Sequence, residues 1–460
     1  MRRTLFPIFL LSLVFTFSSV SVAAAPNEWA MDAARGYHEV LLKCPERIWP
    51  GMDWSKTQFL FASHDSKQAW LISAANPLPE LLSASEVPDI AYVAAFTFVN
   101  FRGLETVTIA LDRYRDIESS TPFDLAVHEM FHHVGQKGWA SAGGGRGTLV
   151  PLDFEPRYLR AEMAKALKAA YRDSSQLRSA ANWYEEWSRR YPHEVKSTTD
   201  GYEGTARYVD AISRILRKKT CLATDAEIQA EVVSLLDGFL PFSGMELDSE
   251  GYGMGALAGF LMDQLGMEWK SGAALGRTPV TQLLEGKATN SPVVDPLLKK
   301  EFQETFGQVN QEIDQWRLPF ELNLQNKNFV RIAVTSDWIR GSFSPKGFFI
   351  PKDDPIALYT PFNGEHQFQV ASGDWISVAD SAVGYRRNEL NECESSAWYF
   401  LVPRSEIQED RSKFTAKNQE ITFEVNGTLR EGKDGFVYLC PTILAMGSRS
   451  ANKQVRSRFN

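Results

Sequence analysis

Ser119–Gly138 reads SSTPFDLAVHEMFHHVGQKG. His128 and His132 stand four residues apart, about one α-helical turn, so a helix stacks both imidazoles on one face. Two imidazoles so placed can bind one zinc ion, and Glu129 is close enough to act on a water at that ion. The flanking residues predict the helix that this chemistry requires. Thr121, Pro122 and Asp124 fall at N-cap, N1 and N3 of a helix beginning at Thr121. They supply a capping oxygen, a ring pre-set for the first turn and an acid near the positive end of the helix dipole. Asp124 is an acidic variant of the capping-box residue, which is more often Glu or Gln. Phe123, Val127, Phe131 and Val134 form an apolar stripe at helical spacing, and Gly135 and Gly138 end the helix.

Upstream, Leu104–Leu111 (LETVTIAL) is the clearest strand, with Val107 and Ile109 alternating with Thr106 and Thr108. Lys56–Ser73 and Asp89–Phe101 also read as strands, and Asn27–Lys43 as a helix. Asp112–Ser119 is a polar turn into the motif helix. Downstream, Gly143–Gly147 reads as a loop without the Walker spacing. Tyr158–Tyr171, Leu177–Arg190, Glu203–Leu216, Ala226–Leu236, Met254–Leu265 and Pro296–Gln315 read as helices. From Phe320 onward short apolar runs alternate with Gly, Asn, Asp and Pro, and Asn426-Gly427 predicts a tight turn. The expected fold class is α+β. Residues 26–319 form a catalytic region with a small sheet and a helical lobe, and residues 320–460 form a β-sandwich-like all-β domain.

The chain has 460 residues, 44% hydrophobic and 23% charged, with a formal net charge of -8. That composition is ordinary for a folded protein, and no basic block points to nucleic acid. Met1–Ala25 carries Arg2 and Arg3, an apolar run Leu5–Phe17 too short for a comfortable span, and a small-residue end. It predicts a signal peptide cleaved near Ala23–Ala25, hence a periplasmic or secreted protein without stable membrane insertion. Cys44 and Cys221 lie in the first two-thirds of the chain, Cys393 and Cys440 in the last third. Pairing within each region is expected in an oxidising compartment, although four cysteines allow three connectivities.

A catalytic zinc needs a third protein ligand. HEMFHHVG matches the start of the metzincin pattern HExxHxxGxxH, but Gly138 stands where its third histidine belongs, which rules that pattern out. Glu203, in EGTARY at the start of a helix, is the better candidate. Small Gly204 and Ala206 would let that helix pack closely against the motif helix. Glu162 and His193 are the competing ligands, and His133 lies one residue off the ligand face.

HExxH followed by E-G-x-A-x-Y resembles the gluzincin metallopeptidases, including the thermolysin-like and M1-aminopeptidase-like groups. The resemblance covers roughly Leu104–Leu265. It implies a zincin-like fold, a zinc ion held by His128, His132 and Glu203, and Glu129 as general base. It also places Leu104–Leu111 as the edge strand that binds the peptide backbone. The 71 residues between His132 and Glu203 exceed the usual interval of about twenty, so Tyr158–Arg190 would be an inserted helical pair. No GxMEN sequence supports an aminopeptidase. The Gly- and Ala-rich stretch from Glu250 resembles the helix that follows the glutamate ligand in some bacterial members. It supplies Tyr252 as the residue assigned to the oxyanion, with Tyr202 and Tyr208 as further candidates. The expected reaction is hydrolysis of a peptide or protein substrate through a zinc-activated water. The alternative is an extracytoplasmic protein- or glycan-binding protein with a structural or vestigial zinc site. It would use C-terminal aromatics such as Trp338, Phe343, Phe348, Phe349 or Trp375.

Overall fold

The computed structural model describes residues 26–442 apart from 94, 114–120, 141–146, 198, 236–248, 336–346, 355, 363, 365, 370–372, 388, 390–391 and 394–396. The expected signal peptide, most of the Gly143–Gly147 loop, Trp338 and Phe343 lie outside the described residues. The fold is α+β, with two sheets and a helical region between them in sequence. No described helix is long and apolar enough to cross a membrane.

The first sheet has the order β3-β2-β1-β5-β4. Its strands are β1 (Thr57–Ser63), β2 (Gln68–Ser73), β3 (Asn76–Leu82), β4 (Phe96–Phe101) and β5 (Leu104–Ala110). β1 and β5 run parallel, and the other pairs are antiparallel. Two expectations are corrected here. Ile90–Val93 is a short helix, so only Phe96–Phe101 of the predicted Asp89–Phe101 run is strand. Leu104–Ala110 is not an edge: it lies between β1 and β4, and the edge on its side of the sheet is β4. The cause is a two-residue hairpin. Arg102 and Gly103 both take positive φ, 50° and 85°, and fold β4 back so that Phe101 pairs with Leu104. Arg102 is an uncommon residue for that conformation, which hid the turn.

The motif helix, Pro122–Met130, begins as predicted. The Asp124 N–H donates to Thr121 Oγ1 (3.3 Å) and the Thr121 N–H to Asp124 Oδ2 (3.1 Å), closing a capping box. The helix continues as a wider π-type turn over Phe131–Gly135, ended by the Gln136 N–H donating to Phe131 O. Phe123, Val127 and Phe131 are buried in one core with Phe59, Phe61, Val107 and Ile109 of the sheet, Phe123 edge-on to Phe59 and Phe131 against Trp49 and Trp139, and Val134 packs at the margin. The predicted stripe is therefore the helix–sheet core.

The helix Glu203–Lys219 packs beside Ser249–Gln264 through glycines. A Cβ on Gly204 would meet the Gly255 Cα at 2.5 Å. Gly204 thus permits close approach to the Gly-rich helix rather than to the motif helix, as the sequence had suggested. The cysteines pair within each region: Cys44–Cys221 and Cys393–Cys440. Cys44–Cys221 fastens the segment after the first helix to the residues just beyond Lys219.

The second sheet draws most of its strands from residues after 328. Val330, Ile332 and Val334 face one apolar cluster with Phe400, Phe423 and Ile376. On the opposite face, Ala333, Tyr385 and Tyr399 pack with Phe306, Ile313 and Phe320 of the long helix Pro296–Leu324. That helix runs through residue 319, and Gly147–Val150 joins the sheet in parallel with Phe348–Pro351. Asn426-Gly427 is not a turn but lies inside the strand Ile421–Glu431. This strand pairs with Trp375–Val378 along its first half and with Val437–Pro441 along its second. A Cβ on Gly427 would meet the Cys440 carbonyl at 2.7 Å, so glycine serves close backbone approach where the strand changes partners.

Gly204→Ala should destabilise the protein by about 1–3 kcal/mol in urea unfolding, because the added methyl faces backbone that cannot yield. Replacing Cys44 and Cys221 together by serine should cost about 2–5 kcal/mol in the same measurement, because that disulfide links residues 177 apart.

Candidate metal centre

Three buried side chains converge. His128 Nε2 lies 3.0 Å from His132 Nε2. Glu203 Oε2 lies 3.3 Å from His128 Nε2 and 3.0 Å from His132 Nε2. The three residues are 7%, 5% and 1% exposed, so water cannot compensate their mutual repulsion. Each imidazole is bonded at its other nitrogen: His128 Nδ1 to Asp210 Oδ2 (3.0 Å) and His132 Nδ1 to Gln136 Oε1 (2.6 Å). Carboxylate and amide oxygens only accept, so both Nδ1 atoms carry hydrogens. In the neutral imidazoles both Nε2 lone pairs then point, with the Glu203 carboxylate, at one another. A cation between them would resolve that arrangement, as would a proton on one Nε2, which then donates to Glu203.

The spacing fits a metal ion. Bonds of about 2.0–2.1 Å at tetrahedral angles place ligand atoms about 3.3 Å apart. His128, His132 and Glu203 are the group of ligating side chains close enough to hold an ion among the described residues. Burial alone would lower the pKa of His128, but its hydrogen bonds to Asp210 and Glu203 outweigh this and raise it to about 10, so without a metal a proton takes the cation's place between His128 and Glu203.

Each ligand is placed by packing and by buried charge. The π-type turn carries His132, and the Gln136 amide N–H₂ donates to Tyr202 O and to Thr205 Oγ1. Asp210 projects from the Glu203 helix two turns after Glu203 and also pairs with Arg207 (3.1 Å). Asp124 pairs with Arg214 of that helix at 3.0 Å, which joins the N-terminus of the motif helix to the same partner. Burial raises the pKa of Asp124 despite Arg214 and Arg217. The turn before Glu203 is held from the far side. Arg160 makes a two-point contact with Asp200 (2.5 and 3.1 Å) and a further ion pair with Glu250, all three buried. Arg157 completes the cluster with Glu250 (2.8 Å) and Glu194. Arg157 and Arg160 lie on Phe154–Arg172, so that helix braces the Glu203 turn.

The other predicted residues divide. Glu129 sits beside His128 on the motif helix and is partly buried. The Tyr252 ring lies parallel to His128 at 5.8 Å, and the Tyr202 ring stacks on His132 at 4.1 Å. Tyr208 is not at the centre: it is buried in the core with its hydroxyl donating to Asp263, and burial followed by Asp263 keeps its pKa far above the ordinary value. His133 is not a ligand. Its Nε2 bonds Glu105 at 2.8 Å and its ring stacks on Phe98 at 4.3 Å, tying the motif helix to β5 and β4. Glu162 pairs with Lys165, and His193 packs against Tyr191. The sequence reading missed Asp210 and Gln136. Their signal was spacing: Gln136 is four residues after His132, and Asp210 is seven after Glu203 on the same helix face. Comparisons with protein-family models, characterised proteins and solved structures gave no match.

His132→Ala or Glu203→Ala should abolish tight binding of a divalent metal in equilibrium dialysis. Asp210→Ala should weaken it about 10–100-fold, because His128 loses the partner that orients it.

Proposed function

We propose that this protein is an extracytoplasmic zinc-dependent peptidase of gluzincin type. The observation that carries the reading is the convergence of His128 Nε2, His132 Nε2 and Glu203 Oε2, with Glu129 next to the first histidine. Two imidazoles and a carboxylate suit zinc, and three protein ligands leave a position for water and substrate. The paired cysteines and the sequence of Met1–Ala25 support a periplasmic or secreted location.

Zinc would supply a Lewis acid for the scissile carbonyl and for the attacking water. Glu129 takes the proton of that water and returns it to the leaving amine. Tyr252, alongside His128, is the residue assigned to donate to the developing oxyanion. An extended peptide would add to β4, which pairs only with β5 among the described residues. The stacking of His133 on Phe98 holds that edge beside the metal ligands. Residues 320–460 are read as an accessory β domain.

Purified protein should contain about one zinc per chain and cleave a denatured protein. Activity should disappear with a chelator and return with added zinc. Glu129→Gln should retain zinc and lose roughly 10²–10⁴-fold in rate. Undiminished cleavage by the zinc-loaded variant would exclude the mechanism. Zinc binding by the wild type without cleavage of any peptide would favour the binding-protein alternative.

A further inference from the structure

We infer that Gln136 is a positioning residue that joins the two halves of the metal centre, setting His132 and docking the Glu203 turn through one amide. The inference rests on the reading of His128, His132 and Glu203 as a metal site, but not on the reaction performed there.

Gln136 is 1% exposed, and both ends of its side chain are used. Oε1 accepts from His132 Nδ1 at 2.6 Å. Nε2 donates to Tyr202 O and Thr205 Oγ1, each at 2.7 Å. The amide can face only one way. Tyr202 O is a backbone carbonyl and only accepts, so the nitrogen must lie on that side and the oxygen on the His132 side. Thr205 agrees: its hydroxyl donates to Gly201 O at 2.7 Å and leaves a lone pair for the amide. A backbone carbonyl beside Glu203 thereby fixes the amide, the amide fixes the hydrogen on His132 Nδ1, and the lone pair of His132 Nε2 faces Glu203.

The cross-links run in opposite directions. Asp210 reaches from the Glu203 helix to His128 on the motif helix. Gln136 reaches from the end of the motif segment to the turn that starts the Glu203 helix. Seventy-one residues separate His132 from Glu203, so chain connectivity does not hold them together. Side-chain bonds of this kind must.

Three variants separate the two functions of the amide. Gln136→Met keeps the length and removes both. Gln136→Glu keeps an acceptor for His132 but sets an oxygen against Tyr202 O. Thr205→Val leaves His132 its acceptor and removes one of the amide's two acceptors, together with the hydroxyl's own bond to Gly201 O. Zinc affinity is read by competition with a chromophoric chelator, and ligand geometry by the visible spectrum of the cobalt-loaded protein. Gln136→Met and Gln136→Glu should each lose about 10–100-fold in affinity and alter the cobalt spectrum. Thr205→Val should lose about 3–10-fold. Thermal unfolding with chelator present checks that the metal-free variants fold, and Thr205→Val decides if the Gln136 variants do not. Wild-type affinity in Gln136→Glu with a loss in Gln136→Met would reduce the residue to orienting His132 and overturn the joining role. Wild-type affinity in Gln136→Met or Thr205→Val would overturn it too, as would a wild-type protein that binds no zinc. Tight zinc binding without peptide cleavage would remove the peptidase reading and leave this one standing.

Discussion

Three lone-pair-bearing atoms held within 3.3 Å of one another, away from water, repel unless a proton or a metal cation lies between them. Folding does not place such groups together without a strong compensation, because an unpaired buried carboxylate alone costs several kcal/mol. Here the compensation is spread over the surrounding structure. Asp210 and Gln136 turn the imidazoles, the Arg160–Asp200–Glu250 cluster holds the turn before Glu203, and the glycine contact at Gly204 sets the depth of the helix. A metal ion at the three atoms would add to that compensation.

The same logic accounts for the long interval between the two halves of the motif. An insertion next to a ligand is tolerated when its ends are fixed by other contacts, since loop closure grows costly only slowly with length. Phe154–Arg172 and Leu177–Arg190 do more than fill the interval. Arg157 and Arg160 of the first helix supply the charges that Asp200 and Glu250 need in order to be buried. Phe154–Arg172 is therefore part of the scaffold of Glu203. Glu250 lies near the start of the helix that carries Tyr252, so that helix is anchored by the same cluster.

Much of the site was legible in the chain because its signals are local. Thr121, Pro122 and Asp124 make a cap through neighbours in sequence, and the 3.6-residue period of Phe123, Val127 and Phe131 marks the buried face. The regional cysteine pairing followed from where the cysteines lie. What failed to read were contacts between distant segments. Gly204 announced close packing, but the partner, Gly255, is 51 residues away and carries no mark that names it. Arg102-Gly103 makes a hairpin that turn statistics do not favour, so the sheet edge moved from β5 to β4. Asn426-Gly427 has the composition of a turn, yet the strands on either side of it hold it extended.

By itself, the sequence determined a helix that presents His128 and His132 on one face, Glu129 beside them, a later helix beginning with Glu203, and a change to strands after the helical region. Those features depend on hydrogen bonds and periodicities that close within a few residues. Only the tertiary structure decided that Glu203 meets both histidines, that Asp210 and Gln136 orient them, and that β4 is the open edge beside them. The meeting of Glu203 and Asp210 with the histidines depends on which buried charges and small residues find each other across 71 and 82 residues of chain, and that choice is made by packing.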